Sequence, residues 1–351
     1  MTTVADLDLP RLSAEMTARG WRTGRAPELL RKLHAATPID PLRFGAPVAA
    51  WAESLPKSPT SVRSRHVAAD GTVKLLVELH DAHSVECVLM PAEKPHLVAG
   101  CVSSQVGCAM GCDFCASTLG GLTRNLTAAE IVGQFFHLRA EALAQSKRLA
   151  TLVFMGMGEP LHNLPELLPA LRRICSPDCG HLGYKNVQVS TVGIVPGMVA
   201  LAESGLRVGL ALSLHGPDDA TRSGVVPVGR KYGVAATLDA AWAYQEKTGR
   251  VANVEYCLLA GVNDSVEHAT LLAAALAGRR MHVNLIPHNP IGGGLSGKVY
   301  EKPTPAAVAA FLSALRAADV VAHVRKTRGD DASAACGQLR RTSLSVAGQP
   351  V

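Results

Sequence analysis

After Pro95 the sequence repeats strand, loop and helix six times, which predicts an α/β fold built on an open, partial (β/α)6 barrel with a small N-terminal helical and β extension. Two observations carry that prediction. Apolar runs of strand length fall at 97–103, 151–155, 186–191, 207–214, 253–259 and 282–286, with a further candidate at 321–326. Helical patterns follow them at 128–143, 164–174, 196–203, 238–247, 266–277 and 305–318. Such alternation implies parallel strands joined by right-handed crossovers, and six units are too few to close an eight-stranded barrel. An apolar content of 48% supplies a large core, and 18% charged residues argues against a long solvated arm.

Residues 1–60 are expected to form a helical accessory region. Stretches 9–19 and 26–36 mix charged and apolar side chains as short surface helices do. Pro38, Pro41 and Pro47 punctuate the next stretch, and 55–59 reads as a linker. Residues 61–95 form a small antiparallel β unit, in which 73–79 and 84–90 alternate with period two and Asp70-Gly71 and 81–83 supply the turns. The main domain is expected over 96–342. The first ten residues carry early acidic side chains and no apolar leader core, so no signal peptide is expected. No run of about 18 uninterrupted apolar residues occurs, so a membrane span is not expected either. The expected compartment is a reducing cytoplasm, since nine cysteines are too few for a disulfide scaffold and odd in number. The net charge of +6 is scattered over short pairs such as Lys147-Arg148, Arg172-Arg173 and Arg340-Arg341. That balance is compatible with a polyanionic partner, though many ordinary enzymes share it.

The chemistry concentrates in Cys108-Ala-Met-Gly-Cys112-Asp-Phe-Cys115. Thiolates are the usual protein ligands of iron–sulfur clusters, and a 4Fe–4S cubane takes four. Three closely spaced ligands leave one iron open to a substrate, the arrangement used by enzymes that reductively cleave S-adenosylmethionine (SAM). Zinc is the alternative, but a structural zinc site takes a fourth Cys or His nearby, and the next cysteine is Cys175.

Other motifs fall at the carboxyl ends of the expected strands, where barrels of this kind place their chemistry. Gly156-Met-Gly-Glu-Pro160 follows the second strand, Ser190-Thr-Val-Gly193 ends the third, Ser213-Leu214-His215 ends the fourth, and Ile286-Pro-His-Asn-Pro290 ends the sixth. Gly158 lets backbone approach a ligand, and Glu159 offers a carboxylate to a cationic amine. Ser190, Ser213 and Asn289 offer hydrogen bonds to a carboxylate or ribose hydroxyls. Each has an ordinary reading as a turn residue; together they mark one rim. Cys175, Cys179 and His181 mimic a metal site, but Pro177 and Gly180 there suggest a plain loop.

Cys101-Val-Ser-Ser-Gln-Val-Gly-Cys108, Cys112-Asp-Phe-Cys115, Arg124-Asn-Leu-Thr127, Gly156-Met-Gly-Glu-Pro160, Asn284-Leu-Ile-Pro287, Arg328-Gly-Asp-Asp331 and Ala335-Cys-Gly-Gln-Leu339 together resemble the RlmN/Cfr radical-SAM adenine methyltransferases. The resemblance runs from about residue 70 to 340. It implies a radical-SAM barrel in which Cys108, Cys112 and Cys115 bind a 4Fe–4S cluster. It implies that Cys336 is methylated by one SAM, and that a second SAM, cleaved at the cluster, yields a 5′-deoxyadenosyl radical that takes hydrogen from that methyl group. By the same resemblance Cys101 forms a disulfide with Cys336 to release the methylated base. Glu86 matches the proton acceptor, and Gly158, Glu159, Ser190, Ser213, Leu214, His215 and Asn289 match SAM-contacting positions. The implied activity is methylation of adenine C2 in 23S rRNA and tRNA by a monomer served by an external electron donor such as flavodoxin. The alternatives are C8 methylation, as in the antibiotic-resistance branch, and a non-catalytic iron–sulfur protein that binds RNA or senses redox state. Residues 1–60 stand where the family carries a helical RNA-binding extension, which 19–25 resembles loosely.

Overall fold

The computed structural model describes residues 2–339; the Arg340-Arg341 pair and the end of the expected 96–342 domain lie outside the described residues. The N-terminal region holds α1 (Leu9–Ala18), α2 (Ala26–Ala35), α3 (Pro41–Phe44) and α4 (Ala46–Ser54). The prolines expected to punctuate this region instead start helices: Pro41 and Pro47 occupy first turns, where a missing N–H loses no hydrogen bond. Leu12, Leu29, Leu30 and Leu33 from these helices join one apolar core with the barrel.

Next come β1 (Ser61–Val67), β2 (Val73–Glu78), β3 (Ser84–Pro91) and β4 (Leu97–Cys101). A short hairpin, β5 (Gln105–Gly107) and β6 (Leu122–Asn125), brackets the cysteine loop. Then come α5 (Ala128–Ala144), β7 (Arg148–Phe154), α6 (Leu164–Cys175), β8 (Val187–Thr191), α7 (Val195–Glu203) and β9 (Gly209–Ser213). The chain continues through α8 (Asp219–Val225), α9 (Val234–Thr248), β10 (Asn253–Leu258), α10 (Val266–Leu276), β11 (His282–Pro287), α11 (Pro305–Ala317) and β12 (Ala322–Val324).

One ten-stranded sheet runs β1-β2-β3-β4-β7-β8-β9-β10-β11-β12. Strands β1 to β4 pair antiparallel, and from β4 onward every pair is parallel. Because the parallel strands lie in chain order, each right-handed crossover steps the same way, so the helices gather on one side and the other side is left to the site. The six expected units are present, and 321–326 contributes β12. The antiparallel strands extend the same sheet through β4. Five elements were not expected from the sequence: α3, α4, β1, the β5–β6 hairpin and α8. Strand β1 is an edge strand exposed at six of its seven residues, so it lacks the apolar alternation that marks a half-buried strand.

The Arg124-Asn-Leu-Thr127 motif locks this frame. Thr127 Oγ1 accepts from the Glu130 amide at 3.2 Å while Glu130 Oε2 accepts from the Thr127 amide at 2.8 Å, a reciprocal cap on α5. Arg124 pairs with the same Glu130 at 2.8 Å and with Asp81 of the β2–β3 turn at 2.6 Å.

Gly107 closes the hairpin at φ +77°, and a Cβ there would lie 1.9 Å from the Gly121 carbonyl oxygen. Backbone cannot yield to it. Gly107→Ala should therefore destabilise the protein by about 2 kcal/mol or more, read as a lower urea midpoint at unchanged slope. A wild-type midpoint would show that the approach is not limiting.

Candidate active site

The cysteine loop spans the β5–β6 connection and is tied down by its backbone. The Cys108 amide donates to Gly121 O at 3.1 Å, the Asp113 amide to Val225 O at 3.0 Å, and the Cys115 amide to Cys112 O at 3.1 Å. The Asp113 carboxylate accepts from the Ser296 amide and from the Tyr300 hydroxyl, both at 2.8 Å. Gly294 packs so closely on this residue that a Cβ would lie 2.0 Å from Asp113 O. The segment after β11 thereby straps the loop in place. From the other side, the Ala116 amide donates to Gly337 O at 2.7 Å and Ser117 Oγ to Leu339 O at 2.6 Å, which seats the Cys336 segment directly on the cysteine loop.

Cys108, Cys112 and Cys115 all line one cavity, with about 900 Å³ of empty space counted out to its mouth. Burial pushes the Cys108 thiol up to about 12 and the Cys112 and Cys115 thiols up as well. Three thiols lining one cavity are the kind of donor set that holds an iron–sulfur cluster. The remaining space can admit a ligand against that metal.

Gly158, Glu159, Ser190, Ser213 and His215 line the same cavity, so five of the seven expected SAM-contacting residues come together. Both oxygens of Glu159 accept backbone N–H bonds, Oε1 from Leu161 at 3.0 Å and Oε2 from Val192 at 2.8 Å. Burial still pushes its carboxyl up to about 7. Gly158 has φ +102°, and its close approach is to Gln105, whose amide nitrogen would lie 2.8 Å from a Cβ. Ser190 Oγ and Ser213 Oγ are 3.2 Å apart. His215 Nδ1 accepts from the Cys257 amide at 2.9 Å, which places the ring proton on Nε2. Its ring packs edge-on to Phe114 at 4.8 Å.

Leu214 is fully buried and does not line the cavity; its carbonyl accepts from the buried Arg222 guanidinium. Asn289 lines a second cavity, where its amide donates to Cys336 O at 3.2 Å and its Oδ1 accepts from Thr327 Oγ1 at 3.2 Å. Cys101 opens into this second cavity, beside Arg325, Lys326 and Arg328. Glu86 lines neither cavity. It is buried in β3, its Oε1 3.0 Å from Lys74 Nζ.

The two cavities share a wall of four residues, Met155, Glu255, Ile286 and Cys336. Cys336 is exposed where the other expected site cysteines are not, because its surface opens into these cavities. Sequence reasoning missed Glu255, Cys257 and His288, all of which line the first cavity. A glutamate interrupting the apolar run of β10 was the available signal. In register it stands between Ser213 of β9 and Asn284 of β11, and it accepts from Asn284 Nδ2 at 2.9 Å.

The Radical SAM superfamily profile matches residues 102–273. A probable dual-specificity RNA methyltransferase RlmN 1 from Opitutus terrae is 48% identical over 98% of this chain and 98% of its own length. A probable dual-specificity RNA methyltransferase RlmN from Symbiobacterium thermophilum is 47% identical over 79% of this chain and 73% of its own. The chain belongs to the RlmN family of radical SAM RNA methyltransferases. The fold agrees: the crystal structure of a radical SAM methyltransferase from Sphaerobacter thermophilus superposes with a TM-score of 0.88 at 37% identity, covering 97% of this chain and 99% of that one. As an RlmN-type enzyme the chain uses a 4Fe–4S cluster and SAM, which settles the sequence alternative of zinc in favour of iron. No helix among the described residues is long and apolar enough to cross a membrane.

The buried histidines of this RlmN-type chain give a pH prediction. Burial pushes His34 and His288 down to about 4 and His215 to about 3, against an ordinary value of 6.5. Each is neutral when folded and protonates near 6.5 when unfolded, so between pH 6.5 and 4 the unfolded chain binds more protons. Their contribution is fully present above 6.5 and falls by about 1.4 kcal/mol per pH unit for each group as pH drops. Glu159, raised above its ordinary 4.5, acts with the opposite sign up to pH 7. Burial also raises the Glu255 carboxyl and lowers His137, so four histidines outweigh two carboxyls and the thermal midpoint should fall between pH 6.5 and 4.5. A midpoint that rises on acidification would contradict this.

Proposed function

We propose that the chain methylates C2 of adenine in RNA, in 23S rRNA and in tRNA, through a methyl group carried on Cys336, with two SAM molecules used per turnover. The observation that carries the reading is the position of Cys336 in the wall between two cavities. One side faces the cluster cysteines and Glu159; the other faces Cys101 and a basic strip. A carrier that is loaded on one side and discharged on the other needs that placement. The names of the relatives, dual-specificity RNA methyltransferases, support the substrate class.

Adenine C2 is not nucleophilic, so a polar methyl transfer from SAM fails there. A cluster held there would supply an electron for the reductive cleavage of SAM, while the protein supplies orientation and exclusion of water. Cys108, Cys112 and Cys115 would hold the cluster. Glu159, Ser190, Ser213 and the Nε2–H of His215 would hold SAM by its amine, carboxylate and ribose. Asn289 fixes the Cys336 backbone through the 3.2 Å bond to its carbonyl. Arg325, Lys326 and Arg328 line the second cavity, where they would neutralise RNA phosphates as the base enters. Cys101, which lines the same cavity as Cys336, would attack the Cys336 sulfur, and Glu86 would take the proton from the methylated ring carbon. The reading includes an external one-electron donor such as flavodoxin and a monomeric enzyme.

Mass spectrometry of nucleosides from a knockout strain and its complement tests the proposal. The expected result is that 2-methyladenosine in 23S rRNA and tRNA disappears and returns. Dependence of 8-methyladenosine instead would reassign the ring carbon, and dependence of neither would remove the RNA reading.

A further inference from the structure

Alternate residues of the cysteine loop face opposite ways. Cys108, Met110, Cys112 and Phe114 line the first cavity, whereas Gly111 and Asp113 line a depression on the outer surface. That depression shares no residue with either cavity. It lies between α8, with the turn after it, and the segment after β11, so a single thickness of backbone separates it from the three thiols. Pro227 and Leu295 both touch the loop there: a Cβ on Gly111 would lie 3.4 Å from the Pro227 ring and 3.9 Å from Leu295. Both are exposed, Leu295 at 52%. The charges around them are one-sided. Arg230 and Lys298 line the depression and Lys231 follows directly, all three exposed. Lys298 Nζ stands over the Tyr300 ring, 5.0 Å from its centroid. The one carboxylate among the described lining residues, Asp113, is buried and already bonded to Ser296 and Tyr300.

We propose that this face is the docking site of an acidic one-electron donor protein, steered by Arg230 and Lys298 and seated on Pro227 and Leu295 over the cysteine loop. This rests on the reading that an external donor protein reduces the cluster. Cations around an apolar contact select a partner of opposite charge and speed its encounter. A patch this small suits the short-lived complexes of electron carriers, which bury less than about 1,200 Å². Electron transfer weakens steeply with distance, and a donor seated here is one backbone thickness from the cluster ligands while the first cavity is left to SAM. In the step, one electron leaves the reduced donor and reduces the cluster by one; no bond to this chain forms or breaks. RNA is the other polyanion the enzyme meets, but its base has to reach Cys336. The cations on that route, Arg325, Lys326 and Arg328, line the second cavity, with which the depression has nothing in common.

The test uses full-length, cluster-loaded enzyme, with flavodoxin as the acidic donor probe and dithionite as a small reductant that needs no docking surface. Calorimetry reads the Kd for oxidised flavodoxin, and RNA methylation is followed with each reductant, flavodoxin being kept below saturation. The double variant Arg230→Glu, Lys298→Glu is expected to bind flavodoxin about tenfold more weakly and to slow flavodoxin-driven methylation by a similar factor. Its dithionite-driven methylation should match the wild type, which also shows that fold and cluster are intact. If the double reversal does not load its cluster, Arg230→Gln with Lys298→Gln makes the same comparison. Arg280→Glu, which reverses an exposed cation just before β11, should change neither quantity. Added salt should weaken binding to the wild type more than to the double variant. A wild-type enzyme that dithionite drives and flavodoxin does not would sink the donor reading, and this surface with it. Flavodoxin that binds and drives wild type and double variant alike would leave the donor reading standing and overturn the surface alone. A double variant that keeps its cluster but loses RNA binding, and methylation with both reductants, would make this face an RNA contact and also overturn the assignment.

Discussion

Cys101→Ala, isolated from cells, is expected to be covalently joined to RNA through Cys336, whereas Cys336→Ala is expected to carry neither methyl group nor RNA. Both should lose methylation of RNA altogether, yet their failures differ in kind. In Cys336→Ala the carrier sulfur is gone, so no bond to the base ever forms. In Cys101→Ala the carrier loads and reacts, but release is blocked. Release needs a thiolate in line with the Cys336 sulfur, forming the disulfide as the bond from that sulfur to the methylene carbon breaks; the electron pair goes to the methylene carbon, which takes a proton to become the methyl group on the base. Cys101 and Cys336 line the same second cavity. Cys257 lines the first cavity and not the second. Burial pushes the Cys101 thiol up to about 12. Nuclease digestion and peptide mass spectrometry locate the bond. A Cys101→Ala protein free of RNA and fully active would remove the resolving role and leave the cluster chemistry standing.

Cys108→Ala, Cys112→Ala and Cys115→Ala should each abolish iron binding, with methylation falling to background. The structure separates this loss from unfolding. The loop is held through backbone groups: Cys112 O accepts from the Cys115 amide at 3.1 Å and from Thr118 Oγ1 at 3.2 Å, while Cys115 O accepts from the same hydroxyl at 2.8 Å. None of these bonds uses a thiol. The variants should keep wild-type far-ultraviolet circular dichroism while losing the brown chromophore, iron and acid-labile sulfide together. Added zinc should restore nothing, because a closed tetrahedral site has no open position for SAM. A variant retaining full iron content would overturn the ligand assignment.

The sequence by itself determined the parallel order and the rim. Strand-length apolar runs alternating with helical patterns leave few topologies once crossovers are right-handed, and motifs at strand ends then share one rim by construction. The candidate cluster cysteines were equally legible, because their spacing of three and two residues is local and needs no fold to interpret. Short-range signals failed where an element owes its existence to its neighbours. Exposed β1 forms by pairing with β2, and the β5–β6 hairpin forms around the cysteine loop with Gly107 packed on Gly121. Only the tertiary structure decided which side of Cys336 faces which cavity, moved Asn289 from the first cavity to the second, and set Glu255 in the wall between them. It also joined Lys74 to both Glu86 and Ser333, residues separated along the chain by most of the barrel. The physical reason is distance in sequence: a contact of about 3 Å between β2 and the segment after β12 is fixed by the curl of the whole sheet, and no local pattern in either segment encodes it.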